Sequence, residues 1–229
     1  MKIVAMSDLH GTLLPVDTIE PCELVCICGD IVPLKYQANS YKTKSWLRNK
    51  FKPWCEELQC DKVIFIAGNH DFYVKDLEFM YSVFPKDKKV TYLFHEGYEY
   101  QSKDGKTYSI FGTPYCKIFG NWAFMDTDER LTELYEDIPE NLDILLSHDQ
   151  PHGYGDQLEI GSVPWADGSH IGNKPLLGTI LKRQPNYLLC GHLHSTTHDC
   201  IEIGKTKRYN VSIKDERYDP VYDPLTLEI

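Results

Sequence analysis

A mixed α/β sandwich is predicted for this 229-residue chain by three observations: short continuous apolar runs, amphipathic helical stretches between several of them, and a hairpin pattern in the middle. The runs occupy residues 3–6, 24–28, 62–67, 143–147 and 187–190 and are rich in Val, Ile, Leu and Cys. Runs of this kind suit strands covered on both faces. Within 45–58, Trp46, Leu47, Phe51, Trp54, Cys55 and Leu58 recur at helical spacing, and Pro53 predicts a kink. Asp126 with Glu129 predicts a capping box opening a helix through Tyr135. Asn173 predicts the cap of a helix running to about Gln184. Residues 98–101 and 107–112 flank Lys103-Asp104-Gly105-Lys106, which reads as a hairpin with an Asp-Gly turn. Residues 209–213 read as a further strand. No repeat or linker interrupts the chain, so residues 1–229 are read as a single domain.

Composition excludes several classes. With 42% hydrophobic and 25% charged residues, the chain is an ordinary globular protein rather than a disordered or fibrous one. No apolar run approaches the roughly 20 residues needed to span a bilayer. The first run is too short for a signal peptide and ends at Asp8. A cytoplasmic location and no membrane partner are expected. The net charge of −10 argues against a long nucleic acid as partner. The charge is uneven, however. Lys42, Lys44, Arg48, Lys50 and Lys52 form a basic segment and 126–143 an acidic one. Both read as solvated helix faces, with a local anion patch as the other reading of the basic segment. Cys26, Cys28 and Cys190 lie inside apolar runs, where reduced cysteine behaves as a small hydrophobe. Cys22, Cys26 and Cys28 lack a structural zinc spacing.

The chemistry sits where each run stops. The first ends in Asp8-Leu9-His10, the second in Gly29-Asp30, the third in Gly68-Asn69-His70-Asp71, the fourth in His148-Asp149 and the fifth in Gly191-His192-Leu193-His194. Sites in open α/β sheets form at the carboxyl ends of strands, so strands lying side by side would bring these residues to one edge. Asp8 and His10, and likewise His192 and His194, are two residues apart. An extended backbone would point both members of each pair the same way. Glycine before Asp30, Asn69 and His192 is expected to allow a sharp turn. Asp, Asn and His without thiolate suit manganese, iron or zinc over calcium or magnesium. Seven such ligands exceed one site, and two cations sharing a bridging carboxylate would use them all. Two ions about 3.5–4 Å apart clamp a phosphate and generate hydroxide at neutral pH. Polar residues at five buried strand ends would be costly without a function.

These motifs, in this order, resemble the calcineurin-like metallophosphoesterase superfamily. Phe111-Gly112-Thr113-Pro114-Tyr115, Trp122-Ala123-Phe124, the stretch from Asp143 to His148 and Asn210-Val211-Ser212 with Tyr218 and Pro220 resemble its short branch of brain-type metallophosphoesterase-domain proteins. The resemblance implies a four-layer α/β/β/α sandwich of two mixed sheets and a phosphodiesterase acting on a small phosphoester, cyclic nucleotides included, through a metal-bridging hydroxide. Two divalent ions are implied, Mn2+ first, with Fe or Zn2+ as alternatives. Asp8, His10, Asp30 and His194 would hold one ion. Asp30, Asn69, His148 and His192 would hold the other. His70 would face the leaving group, with Asp71 orienting it. Asn69, His152, Tyr115 and Asp149 are the candidate substrate contacts. Two departures fall on loops expected to border the substrate: Asp149-Gln150 after the ligand histidine, and Ser195-Thr196-Thr197-His198 after the last motif. A phosphomonoesterase or a catalytically silent metal-binding scaffold are the alternatives. A serine/threonine protein phosphatase is disfavoured, because Gly29-Asp30 is followed by Ile31-Val32-Pro33 rather than Asp-Arg-Gly. A nuclease is disfavoured by acidity and size.

Overall fold

All five apolar runs become strands in the computed structural model, which describes residues 1–161, 164 and 166–229. The strands are, in chain order, β1 (Lys2–Met6), β2 (Leu24–Cys28), β3 (Lys62–Ile66), β4 (Val90–Tyr92), β5 (Glu96–Gln101), β6 (Thr107–Thr113), β7 (Cys116–Lys117), β8 (Met125–Asp126), β9 (Ile144–Ser147), β10 (Tyr187–Cys190), β11 (Ile201–Ile203), β12 (Thr206–Asn210) and β13 (Leu225–Glu228). They do not all lie side by side as expected. One sheet has the order β13-β1-β2-β3-β4 and a second the order β11-β12-β10-β9-β6-β5, while β7 and β8 form a separate pair. Within each sheet the inner strands pair in parallel, and antiparallel pairing occurs at β13, β11 and β5.

Side-chain alternation sets the layers. On β1, Ile3 and Ala5 face the second sheet, where with Cys26 and Ile64 they meet Ile110, Ile144, Leu146 and Leu189. Val4 and Met6 face the other way. There Val25, Ile27 and Phe65 pack on Trp46, Leu47, Phe51, Trp54, Met80 and Phe84, from α1 (Ser40–Trp46), the turn that follows it, α2 (Lys52–Glu57) and α3 (Leu77–Val83) with its C-terminal cap. On the far side, Phe111, Leu145 and Leu188 pack on Leu131, Tyr135, Leu176 and Ile180, from α4 (Asp128–Tyr135) and α5 (Lys174–Arg183). The result is the four-layer α/β/β/α sandwich with both sheets mixed. Truncating a central ring such as Phe65, which lies edge-on to Phe51 and Phe84, would cost about 3–5 kcal/mol. Among the described residues, no helix is long and apolar enough to cross a membrane.

The helix boundaries refine the sequence reading. The first helical stretch begins at Ser40, where Asn39 caps it by accepting from the Lys42 amide. Pro53 does not break it. A single π turn, Leu47–Phe51, runs straight into α2, and this local widening accommodates Pro53, which has no amide to donate. Thr127, not Asp126, caps α4 by accepting from the Arg130 amide; Asp126 is taken up in β8. Asn173 caps α5 as expected, and Gln184 closes it in a left-handed conformation. The hairpin pairs Gln101 with Thr107 across its turn. The last predicted strand lies earlier than 209–213: β12 ends at Asn210, and Ser212 makes only an isolated bridge to Ser7.

Candidate metal centre

The carboxyl ends of β1, β2, β3, β9 and β10 meet at one edge of the sandwich, so the two sheets contribute from opposite sides. The backbone there is bent. Asp8, His10, Asp30 and His192 all hold positive φ, at 58°, 43°, 51° and 69°. Such conformations cost about 1–3 kcal/mol each in residues with a Cβ. The extended backbone expected for Asp8 and His10 is therefore not what aims them. Instead the two loops run together: the Asp8 amide donates to Gly29 O (3.0 Å) and the His10 amide to Asp30 O (2.8 Å). Gly29, at φ 99°, does make the turn expected of it. Gly68 and Gly191 serve by close approach instead. A Cβ on Gly68 would run into the Asp30 carboxylate and the His148 ring, and one on Gly191 into the side chains of Ser7 and Asp8. Gly191→Ala is thus expected to push Asp8 and His192 apart, destabilising the fold by about 1–3 kcal/mol and lowering bound metal. A thermal melt with metal analysis checks both; wild-type values in each would refute the close-approach reading.

Asp30 lies at the middle of the cluster and is 1% exposed. Its Oδ2 stands 3.4 Å from His148 Nε2, 3.6 Å from His10 Nε2 and 4.0 Å from His70 Nε2. Asp8 Oδ1 is 3.5 Å from His194 Nε2, and the Asp8 carboxylate accepts from the His192 amide. The Asn69 Oδ1 lies 3.0 Å from His148 Nε2. The outer nitrogens of two rings are already held: His148 Nδ1 by Cys28 O at 2.8 Å and His194 Nδ1 by Asp215 O at 2.9 Å. In each ring Nε2 is thereby fixed as the atom facing the cluster. Among the described residues three ligand-type groups emerge: Asp8 with His10 and His194, Asp8 with Asp30 and His148, and Cys116 with His148 and His192.

The electrostatics fit a cation. Burial pushes the Asp30 carboxyl up, but His148, His70 and His10 outweigh it and hold the pKa well below the usual range. Asp8 is likewise lowered by His194 against the effect of burial. Burial opposes charge on His148 and His194, yet Asp30 lifts the first to about 10 and Asp8 lifts the second to about 9. Without an ion, two buried carboxylates are thus balanced by protons on imidazole; a divalent ion would displace those protons. Burial brings His10 and His192 down to about 4, leaving them neutral and ready to ligate. Both ring nitrogens of His10 are buried without a hydrogen-bond partner, a cost that an ion at Nε2 would relieve. The donor set of carboxylate, imidazole and amide oxygen therefore fits divalent metal.

His70 borders the same groove, but Asp71 does not orient it. The Asp71 carboxylate turns away and accepts from the amides of Gly68 (2.9 Å), Val32 (2.9 Å) and Ile31 (3.2 Å). Burial and then Asp30 push its pKa up to about 7, against those three amides. Asp71 thus fastens the loop after β2 to the loop after β3. The residue holding His70 is Gln37, whose Oε1 lies 2.7 Å from His70 Nδ1. No motif marks Gln37 in the sequence. Asp71→Ala would leave three buried amide donors unpaired at about 1–3 kcal/mol each. A loss of several kcal/mol in denaturant unfolding is expected, and a loss below about 1 kcal/mol would contradict the fastening role.

Of the candidate substrate contacts, only Asn69 faces the groove, a cavity of about 630 Å³ also lined by His70, Phe119, Trp122, His192 and Tyr218. His152 faces a neighbouring cavity with His170, 3.6 Å from the buried Asp156. Asp149 is buried and accepts from the Lys117 and Gln150 amides and the Asn173 side chain. Tyr115 packs among Phe94, His95 and Phe124. His152 lines that neighbouring cavity, whereas Asp149 and Tyr115 are framework residues. So are the two departures. Gln150 Nε2 donates to Gly191 O (2.7 Å) and its Oε1 accepts from the buried Arg208. Thr196 is held by Asn210, and His198 stacks on Tyr222. Sequence reasoning missed Gln37, Trp122, whose ring centroid is 4.4 Å from that of His70, and Cys116, whose thiol burial pushes up in pKa. Gln37 and Cys116 carry no pattern that separates them from packing residues, and Trp122 entered only through the motif Trp122-Ala123-Phe124.

Residues 1–196 match the family model described as calcineurin-like phosphoesterase. Metallophosphoesterase domain-containing protein 1 of Homo sapiens is 28% identical, over all of this chain and 71% of its own length. A UPF0046 protein of Caenorhabditis elegans is 24% identical over all of this chain, which spans 60% of that relative. Among solved structures, TT1561 of Thermus thermophilus superposes with a TM-score of 0.56 at 14% identity, over 91% of this chain and 88% of the other; that likeness speaks to the fold. With the family model covering most of its length and the ordered strand-end residues gathered at one edge, the chain belongs to the calcineurin-like phosphoesterase family.

Proposed function

We propose that the chain hydrolyses small phosphodiesters with two divalent cations, manganese first among them. Asp8, His10, Asp30 and His194 would hold one ion, and Asn69, His148 and His192 with the shared Asp30 the other. The observation that carries this reading is the placement of Asp30 Oδ2 within 3.6 Å of imidazole nitrogens from both sheets. When bound, such ions supply Lewis-acid charge to phosphoryl oxygens and acidify water. The chain's own residues do the rest. The carboxylates and imidazoles are held in place by the backbone hydrogen bonds already described, so little reorganisation accompanies binding. Gln37 accepts from His70 Nδ1 and leaves Nε2 facing the groove. Burial lowers the His70 pKa; an anionic phosphate entering beside it would raise it again. Protonated Nε2 is then placed to give its proton to the leaving oxygen. Trp122, Phe119 and Leu158 give the groove an apolar wall against which an organic arm of the ester can lie. A diester rather than a monoester is favoured because cavities open on both sides of the cluster, one past Asn69 and His70 and the other past His10.

The test compares bis(p-nitrophenyl) phosphate with p-nitrophenyl phosphate on manganese-loaded protein. Faster turnover of the diester is expected. Preference for the monoester would overturn the diesterase reading. No hydrolysis of either, with two ions bound, would point to the silent scaffold.

A further inference from the structure

A second cavity, of about 590 Å³, adjoins the metal centre on the side of His10. Tyr218 is the wall between the two: it lines both cavities, and its ring lies edge-on to His10 and His194, with centroids 4.8 and 5.2 Å apart. The chemistry of this second lobe is unlike that of the groove. Among the described residues three lysines line it, Lys35, Lys50 and Lys214, and no acidic residue does. In a chain of net charge −10 that is a local inversion of sign.

The basic segment noted in the sequence divides accordingly. Lys44 pairs with Asp76 and Lys52 with Glu56. Lys42 lies over the Tyr36 ring and Arg48 over that of Phe79. Lys50 alone of the five faces the lobe. Lys214 is only 4% exposed, and its ammonium donates to Thr12 Oγ1 at 2.5 Å. Among the described residues it forms no ion pair; Asp215 and Asp219 act on it only at longer range. A buried ammonium with one hydroxyl partner is costly unless an anion completes its shell.

We propose that this lobe is a second anion subsite, and that the substrates are phosphoesters carrying a further phosphate. That second phosphate is seated by Lys214 with Lys35 and Lys50 while the scissile one lies at the metal centre. The inference rests on the phosphoesterase reading above and narrows its substrate class. Trp46 and Tyr36 flank the lysines and leave room for a sugar or ring between the two phosphates.

The experiment measures competitive inhibition of bis(p-nitrophenyl) phosphate hydrolysis by adenosine 3′,5′-bisphosphate and by adenosine 5′-monophosphate on manganese-loaded protein. The bisphosphate is expected to bind about tenfold tighter, as one charge-assisted contact supplies. Lys214→Met should bring that ratio down to about three, the share left to Lys35 and Lys50. The double variant Lys35→Gln with Lys50→Gln, both exposed, should lower it about threefold, a ratio in which any change in probe hydrolysis cancels. Equal inhibition in the wild type, or a ratio unmoved by the double variant, would overturn the subsite. Calorimetric titration of the manganese-loaded chain with inorganic pyrophosphate separates the two readings. If the wild type fails to hydrolyse the probe, the phosphoesterase reading falls; pyrophosphate binding lost with the lysines would still support the lobe, and absence of binding in the wild type would remove it.

Discussion

Asp30→Asn is expected to lower kcat/KM on a phosphodiester by about 10³-fold, with metal content falling below two ions per chain. The substitution keeps the shape of the side chain and removes its charge. Asp30 is the one carboxylate facing His10, His70 and His148 together, so its charge is what both proposed ions would share. Loss of one preorganised electrostatic contact at a reacting centre costs about 10²–10³-fold. Weaker binding of both ions adds to that. An asparagine oxygen can still ligate one ion, which is why the protein should stay folded and keep part of its metal. The measurement is elemental analysis of the purified variant beside its steady-state kinetics. Two ions retained together with wild-type turnover would remove Asp30 from the centre.

His70→Ala is the second large effect, and its signature is selective. Turnover on an alkyl phosphodiester should fall by about 10²- to 10⁴-fold, the usual range for a lost proton donor. Turnover on a p-nitrophenyl ester should change far less, because that leaving group departs without a proton. Metal content should not change, since the ring nitrogen of His70 stands farthest from Asp30 of the three imidazoles around it. Gln37→Leu should reproduce a milder form of the same selectivity by freeing Nδ1. Equal losses on both esters would assign His70 to metal binding instead.

Much of this site was legible because two signals coincide at the strand ends. Continuous apolar runs mark buried parallel strands, and ligand-type residues follow each run directly, so β1, β2, β3, β9 and β10 and the seven ligand candidates could be read together. The division into two sheets could not, because periodicity reports burial on a strand's faces and not which strand lies beside it. The left-handed backbone at Asp8, His10, Asp30 and His192 was hidden for a related reason. Asp and His enter that region more readily than most residues, but far too rarely for the sequence to announce it; the paired loops impose it. Asp71 was misassigned because adjacency in the motif suggests adjacency in the site, whereas its carboxylate finds three amides from two loops closer at hand. Asp149 and Tyr115 look like pocket residues by position and prove to be framework, since burial of a polar side chain is decided by partners far along the chain.

The split origin of the ligands has one more consequence. Asp8, His10, Asp30 and Asn69 hang from the first sheet, while His148, His192 and His194 hang from the second. Under the proposed assignment each cation ties one half of the sandwich to the other. Chelation would then do more than silence the chemistry: it would unclasp the halves at one edge, and sheet cohesion would track free metal concentration as an ordinary ligand-linked equilibrium.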